Sequence, residues 1–551
     1  GSVLTVDQNT TMTFSEPKEV ASSWVINLLK GTSFFRSRLP QRLDVNTPFI
    51  NAIHEGTEFL VAVSDQQAEI SVFDGQVVGV NKTGKVIINK GFKGIAQANR
   101  SPHVQMLKIT PEDAVQWALN YPAIIDDTQL KSGLHRHLNP ALAAYRQGDS
   151  SLALDKLDEI PVNQQDTHYL ALKAALLLTV GRLDEAQALI LQVQQLEPNN
   201  SDAYALQAII AVTKNRQQAG LDYAIKAVAA NPQSSVAKIA QSYAYQAQFN
   251  LDEALTATQA ATRLSPDNAL AWARLSELQL SQGDHDDALD SAKKAQALNP
   301  KLAKTETILG FANLAHTEID DAKRNFEQAL ILDSSDPLAR LGLGLAKIRK
   351  GDVEQGKNEL ETAVNLDPNN AVIRSYLGKS YYELRNKDYA GKEFEIAKAM
   401  DAKDPTPYFY DAILKQTTNR PVEALQGMQK AIELNDNRQV YRSNFLLDKD
   451  LAARGAALGR VYNELGFAQR GLVEGWRAVT QDPTDYTSHR LLSDTYSALP
   501  RHDLARSSEL LQSQLLQPIN VTPVQPRLAE SQLFLVGGLG PSALSLNEFN
   551  P

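Results

Sequence analysis

Few residues in this chain stand at spacings that could do chemistry. His135-Arg136-His137 is the one close histidine pair. Two residues apart, the rings point to different sides of a helix, and no acidic partner follows at metal-ligand spacing, so they read as surface residues. Asp284-His285-Asp286-Asp287 with Asp290 makes an acidic cluster. A calcium loop needs oxygens at alternating positions and a later glutamate, and that pattern is missing. Aspartates of this kind suit the cap and first turn of a helix, the role expected here. Arg36, Arg38 and Arg42 form a small basic patch, expected in a solvated loop. Gly537-Gly538-Leu539-Gly540 lacks the Lys-Ser/Thr of a phosphate loop. Ser22, Ser23, Ser33 and Ser37 lie in no nucleophile elbow. Cysteine is absent, which excludes disulfides, thiolate metal sites and a cysteine nucleophile together. The expectation is a protein that is not an enzyme, with no catalytic, metal or cofactor residue.

The elements that carry these residues repeat. Pro198, Pro232, Pro266, Pro300 and Pro368 are spaced by whole multiples of 34 residues, with Ser334, Ala402 and Asp436 on the other beats. Repeat 269–302 carries Trp272, Leu275, Ser276, Ala288, Ala292, Ala295 and Pro300. Repeat 371–404 carries Leu377, Gly378, Tyr381, Ala390, Phe394 and Ala397 in equivalent places. Small residues let paired helices approach, large ones fill the hole opposite, and proline ends the second helix. This pattern resembles the tetratricopeptide repeat, two antiparallel helices per unit, stacked into a solenoid.

The resemblance implies that positions 2, 5, 9 and 12 of each first helix face a concave groove. Positions 5 and 9 hold Ala205, Ile209, Ile239, Tyr243, Ala273, Glu277, Thr307, Phe311, Leu341, Leu345, Phe409 and Ile413, and position 12 adds Leu280, Leu314, Ile348 and Tyr382. From them Ile209, Ile239, Tyr243, Phe311, Leu341, Leu345, Tyr382, Phe409 and Ile413 are expected to form an exposed apolar stripe. Such a stripe suits a protein or peptide partner with an apolar segment. The Lys/Asn pattern that clamps a terminal carboxylate in some family members is missing.

Residues 1–105 read as strands. Val3–Val6, Met12–Phe14, Ser23–Leu28, Glu58–Val63, Glu69–Val72, Gln76–Val80 and Lys85–Ile88 are short and β-branched, separated by turn residues such as Asp74-Gly75 and Asn81–Gly84. The predicted fold is an all-β sandwich or β-roll followed by an α-helical solenoid, in all an α+β multidomain chain. Val45-Asn46-Thr47-Pro48, then Gly56-Thr57-Glu58-Phe59, then Asp74-Gly75-Gln76-Val77 resemble the later half of a FecR-type domain, and Gly31–Phe35 fits the strand before the Thr-Pro turn. The resemblance implies a periplasmic, non-catalytic domain of the bacterial envelope, with first strands upstream of Gly1.

Between the two regions, residues 106–132 form a linker with a short helix expected at Pro111–Leu119, capped by Thr110. The solenoid runs over 133–518 as about eleven helical pairs, with an insertion near 439–451. Residues 519–551 make an irregular apolar tail. The stretch Leu533–Val536, followed by glycines, resembles the lead into an outer-membrane β-barrel in long FecR-plus-repeat proteins.

At 551 residues and 22% charged residues the composition is that of an ordinary multidomain chain, and a net charge of −9 gives no basic footprint for nucleic acid. The most apolar run, Leu170–Val180, contains Lys173 and sits on the repeat grid, as a packed helix would. The function expected is a protein-interaction scaffold of the envelope, the periplasmic part of a larger outer-membrane-associated protein. A FecR-type signalling regulator and a self-assembling structural protein are the alternatives, the last with further copies of the chain as partners.

Overall fold

The computed structural model describes residues 2–7, 10–15, 24–37, 43–54, 57–107, 119–126, 128, 133–248, 250–434, 447–499 and 501–516. Residues 111–118 of the expected helix, most of the insertion, Arg38, Arg42, Ser22, Ser23 and the tail lie outside the described residues, and Leu119 is not helical. Two compact units emerge from the chain's own contacts. One holds residues 1–122 with 177–188 and 362–369, and the other holds the remainder.

In the first unit eleven strands are described: β1 Ser2–Val6, β2 Thr11–Ser15, β3 Trp24–Ser37, β4 Leu43–Asn46, β5 Asn51–His54, β6 Glu58–Val63, β7 Gln67–Asp74, β8 Gln76–Asn81, β9 Gly84–Asn89, β10 Phe92–Gln97 and β11 His103–Met106. The 14-residue β3 belongs to two sheets. Its first half pairs with β2 and, in parallel, with β4. Its second half pairs with β1 and β6. Gly31, at φ +98°, marks the change of sheet, and a Cβ there would meet the Cα of Thr10 at 2.5 Å. Glycine alone tolerates both conditions. One sheet continues β6-β7-β10-β11 and the other β4-β5-β8-β9. The core joins both, with Leu28, Phe35, Val45, Phe59, Val61, Ile70, Val72, Val77 and Ile88 each at most 1% exposed. Phe35 and Phe59 stack with ring centres 4.8 Å apart. The strands β4, β5, β10 and β11 were not among those read from the sequence.

One reading of this unit is corrected. Arg36 is not in a solvated loop: it points inward from β3 and pairs with Glu58 at 3.2 Å, both side chains nearly fully buried. A buried guanidinium persists only with such a partner, and Glu58 stands opposite Arg36 in the β3–β6 register.

The second unit is helical, and of the helices that follow only residues 177–179, 183–188 and 362–366 belong to the first unit. After a 3₁₀ turn at Gly133–Leu138 come α1 Asn139–Arg146, α2 Ser150–Asp158, α3 Thr167–Thr179, α4 Leu183–Leu196, α5 Ser201–Thr213, α6 Gln217–Ala230, α7 Ser235–Ala247, α8 Leu251–Leu264, α9 Ala269–Gln282, α10 His285–Leu298 and α11 Ala303–Ala315. They continue as α12 Ile319–Leu332, α13 Pro337–Arg349, α14 Val353–Leu366, α15 Ala371–Glu383, α16 Lys387–Met400, α17 Pro405–Thr417, α18 Pro421–Glu433, α19 Leu447–Glu464, α20 Ala468–Gln481, α21 Tyr486–Ser497 and α22 Asp503–Leu515. The residue two places after the periodic position caps the next helix in seven repeats, though Leu302, after Pro300, makes no such bond. Asn200, Ser234, Asn268, Asp336, Asn370, Asp404 and Asp485 each accept a hydrogen bond from a backbone N–H of the first turn. In several repeats the turn between the helices uses a left-handed residue: Asn215, Gly283, Thr317, Gly351, Arg385 and Asn419 stand on the 34-residue beat.

Side-chain size keeps the same beat. Phe326 fills the space left by Gly310 and Gly342, where an added Cβ would meet its ring at 2.7 and 2.2 Å. Phe394 does the same against Gly378, at 2.5 Å. The fourth residue of a repeat reaches back to the carbonyl at the proline position before it. Tyr204 donates to Pro198 at 3.0 Å, Trp272 to Pro266 at 2.8 Å and Tyr408 to Ala402 at 3.2 Å.

Candidate functional site

The first helices of successive repeats touch one another: α5 on α7, α9 on α11, α11 on α13, α15 on α17 and α19 on α21. That packing decides what becomes of the predicted stripe. Ile209, Ile239, Phe311, Leu341, Tyr382, Phe409 and Ile413 are all buried, none more than 8% exposed. Tyr243 and Leu345 are half-buried. The stripe is therefore not the open apolar surface expected. Close approach of neighbouring first helices contributes to this burial, and the second helix of the same repeat adds to it, as Phe311 shows by meeting Phe326 of α12 edge-on at 5.0 Å.

The first helices also carry a charged network, where the sequence reading expected a mostly apolar lining. Arg274 is 2% exposed. It donates to Ser242 at 2.9 Å, to Glu277 at 2.8 Å and to Gln246 at 2.7 Å, and its guanidinium lies 3.7 Å from the ring centre of Tyr243. Lys304 donates to the other oxygen of Glu277 at 2.7 Å. Asp336, which caps α13, also accepts from Thr307 at 2.7 Å. Burial, then the Glu277 charge, pushes the Tyr243 phenol up. Burial works against the Lys304 ammonium, yet Glu277 and Tyr243 hold it above the ordinary lysine value. Burial raises the Asp336 carboxyl, with the Thr307 hydrogen bond and Lys304 opposing. Every charge here faces an opposite charge or a donor, so the network fixes side chains and offers no free acid, base or nucleophile.

Reading positions 5, 9 and 12 named Glu277, Thr307 and Tyr243 but not Arg274, Lys304 and Asp336. Lys304 stands at position 2, a groove position, while Arg274 and Asp336 occupy positions 6 and 34, where the clue available was opposite charge recurring at fixed offsets on the repeat grid. Elsewhere the fourth position pairs with the twenty-third of its own repeat: Arg340 with Glu359 at 2.8 Å and Arg374 with Glu393 at 3.1 Å. Both members of the second pair are buried.

The acidic cluster sits at a helix start: Asp284 precedes α10 without a side-chain capping bond, and Asp286 and Asp287 lie in its first turn. His137 lies in the 3₁₀ turn. Among the described residues no group of three or more His, Asp or Glu side chains could hold a metal ion, and no helix is long and apolar enough to cross a membrane.

The comparisons fit this geometry. Residues 239–303 and 313–379 match two family models, each described as tetratricopeptide repeat. These stretches are tetratricopeptide repeats. Residues 1–78 match the model described as FecR protein. The FecR-type match covers β1 to the start of β8, including the Thr47 turn, in which the Thr47 hydroxyl donates to the Ile50 carbonyl at 2.7 Å. No curated protein sequence matches the chain. Among solved structures, the APC/C hetero-tetramer Cut9–Hcn1 matches at 14% identity and TM-score 0.45, over 74% of this chain and 90% of that one. The human IFIT1 dimer with PPP-AAAA matches at 15% identity and TM-score 0.42, over 74% and 94%. TTC0263, a thermophilic TPR protein of Thermus thermophilus, matches at 21% and 0.30, over 33% and 100%. Tetratricopeptide repeats are generally a non-catalytic module that binds proteins or peptides, and the repeats support a protein-interaction scaffold.

Proposed function

We propose that this chain is an interaction scaffold of the bacterial envelope, lying in the periplasm beside the outer membrane as part of a larger protein. The observation that supports this reading is the union in one chain of a FecR-type β region, over 1–78, with tetratricopeptide repeats. The family resemblance of the first part favours a periplasmic setting. The repeats supply the binding surface, and the paired charges along the first helices give that surface shape without reactivity. The partner is a protein or peptide segment, and the proposed neighbour is an outer-membrane barrel of the same parent protein.

The test is site-specific photocrosslinking in a Gram-negative host, followed by fractionation. A crosslinker at Leu345, Leu338 or Val372, all half-buried on first helices, should capture a polypeptide in the envelope fraction. The same group at Ile331, 76% exposed on the second helix α12, should not. Recovery of the chain in the cytosol, or equal capture from Ile331, contradicts the proposal.

A further inference from the structure

One segment of the helical unit has no helix of its own. Ala123-Ile124-Ile125-Asp126 runs without regular secondary structure, yet Ile124, Ile125 and Asp126 are each 5% exposed or less. Asp126 is held by side chains 109 and 139 residues away. Its Oδ2 accepts from the hydroxyls of Ser235 and, at 2.5 Å, Ser265. Its Oδ1 accepts from the backbone N–H and hydroxyl of Thr128 at 2.9 and 2.6 Å.

Ser235 is the first residue of α7 and wholly buried, and Ser265 is the C-terminal cap of α8 and 3% exposed. The positive end of the α7 dipole favours an anion beside Ser235. Both serines are donors here, so the seat asks for an acceptor, and a carboxylate on a short stem satisfies two donors at once. Ile124 and Ile125 add buried apolar area before it. An extended peptide on a protein surface is held in this manner, by alternate side chains seated in preformed positions.

We propose that the Ser235–Ser265 seat is a recognition site for an extended peptide bearing two aliphatic residues followed by aspartate, and that residues 123–126 fill it as an internal ligand. A partner carrying the same pattern competes with the tethered segment. This rests on the scaffold reading and names the partner chemistry for one part of it. Tethering gives the internal segment an effective concentration on the order of millimolar, so a free competitor binds weakly until the segment is released.

The probe is a fluorescent synthetic peptide of residues 121–130, followed by anisotropy against the full chain. The Asp126→Ala chain should bind it at least about tenfold tighter than the unaltered chain. Adding Ser235→Ala and Ser265→Ala should abolish binding, as should an Asp-to-Ala change in the peptide at its sixth residue. No binding to an Asp126→Ala chain of unchanged helicity would overturn the proposal and make the segment a fixed strut. Should Asp126→Ala unfold, limited proteolysis of the unaltered chain decides: millimolar peptide should speed cleavage within 121–130, and an unchanged rate overturns the proposal. Failure here leaves photocrosslinking at Leu345 unaffected, so the two readings fail separately.

Discussion

The sheets and the repeats solve the same burial problem in opposite ways. In the sheet unit, several partners are far apart in sequence: β3 meets β6, β7 meets β10, and β5 meets β8. Phe35, Phe59, Ile70 and Val77 then share one core across both sheets. Within the repeats a side chain mostly meets its own repeat or the next, while Asp126, ahead of them, reaches Ser235 and Ser265. Phe326 touches Gly310 and Gly342, Arg374 pairs with Glu393, and Tyr408 reaches Ala402. Damage to a shared core spreads through it, whereas damage to a stack stays near its site. That difference suits the repeats to binding, since a stack can adjust one unit to a partner without unfolding the rest.

The strongest break of the contrast is Phe59→Ala, which removes a wholly buried ring from the shared core. It should cost about 3–5 kcal/mol and lower the unfolding midpoint of the whole sheet unit, read by denaturant titration of the full chain. Slightly smaller, about 3 kcal/mol, is the loss expected for Glu393→Ala, which strands the buried Arg374. Arg374→Met with Glu393→Leu should recover most of it, and a double variant no better than the single would show that the pair is not the cause. Gly342→Ala places a methyl against the Phe326 ring and should cost about 1–3 kcal/mol, confined to α11–α13.

Two smaller effects sharpen the account. Thr317 holds a left-handed conformation at φ 64°, where Gly283 and Gly351 stand in neighbouring repeats. Thr317→Gly should therefore gain about 1 kcal/mol in thermal unfolding. Burial works against the Glu359 charge, but hydrogen bonds from Lys347 and Arg340 hold its carboxyl below the ordinary value of 4.5. As pH falls below 4.5 the unfolded chain takes up that proton first, so stability is lost down to the lower folded value. Glu359→Gln should flatten this part of the pH profile of unfolding.

The helical repeats were legible because their physics is periodic. Proline, cap and small residue recur at fixed offsets, so one repeat predicts the next. The sheet unit was legible in fragments. Glu58–Val63 and Gln76–Val80 are short Val-rich apolar runs and match β6 and β8. Strands β4 and β5 are four residues each, too short for a period, and β10 carries Gly94, which weakens a strand pattern. The binding face was the least legible. Helical offsets give the side of the helix, but burial also depends on how closely the neighbouring helices approach, which hid Ile209 and Phe311. Arg274 was missed for a related reason: its partners Tyr243, Gln246 and Ser242 lie in the preceding repeat.

The claim beneath these predictions is that the sheets act as one cooperative body and the repeats as separable units fit for binding. Native-state hydrogen exchange of the full chain, resolved by peptide, tests it most directly. The account predicts one common opening free energy for β3, β6, β7 and β10, and values that change from repeat to repeat between α3 and α18. A single value shared by every repeat, or strands that open independently, would contradict it.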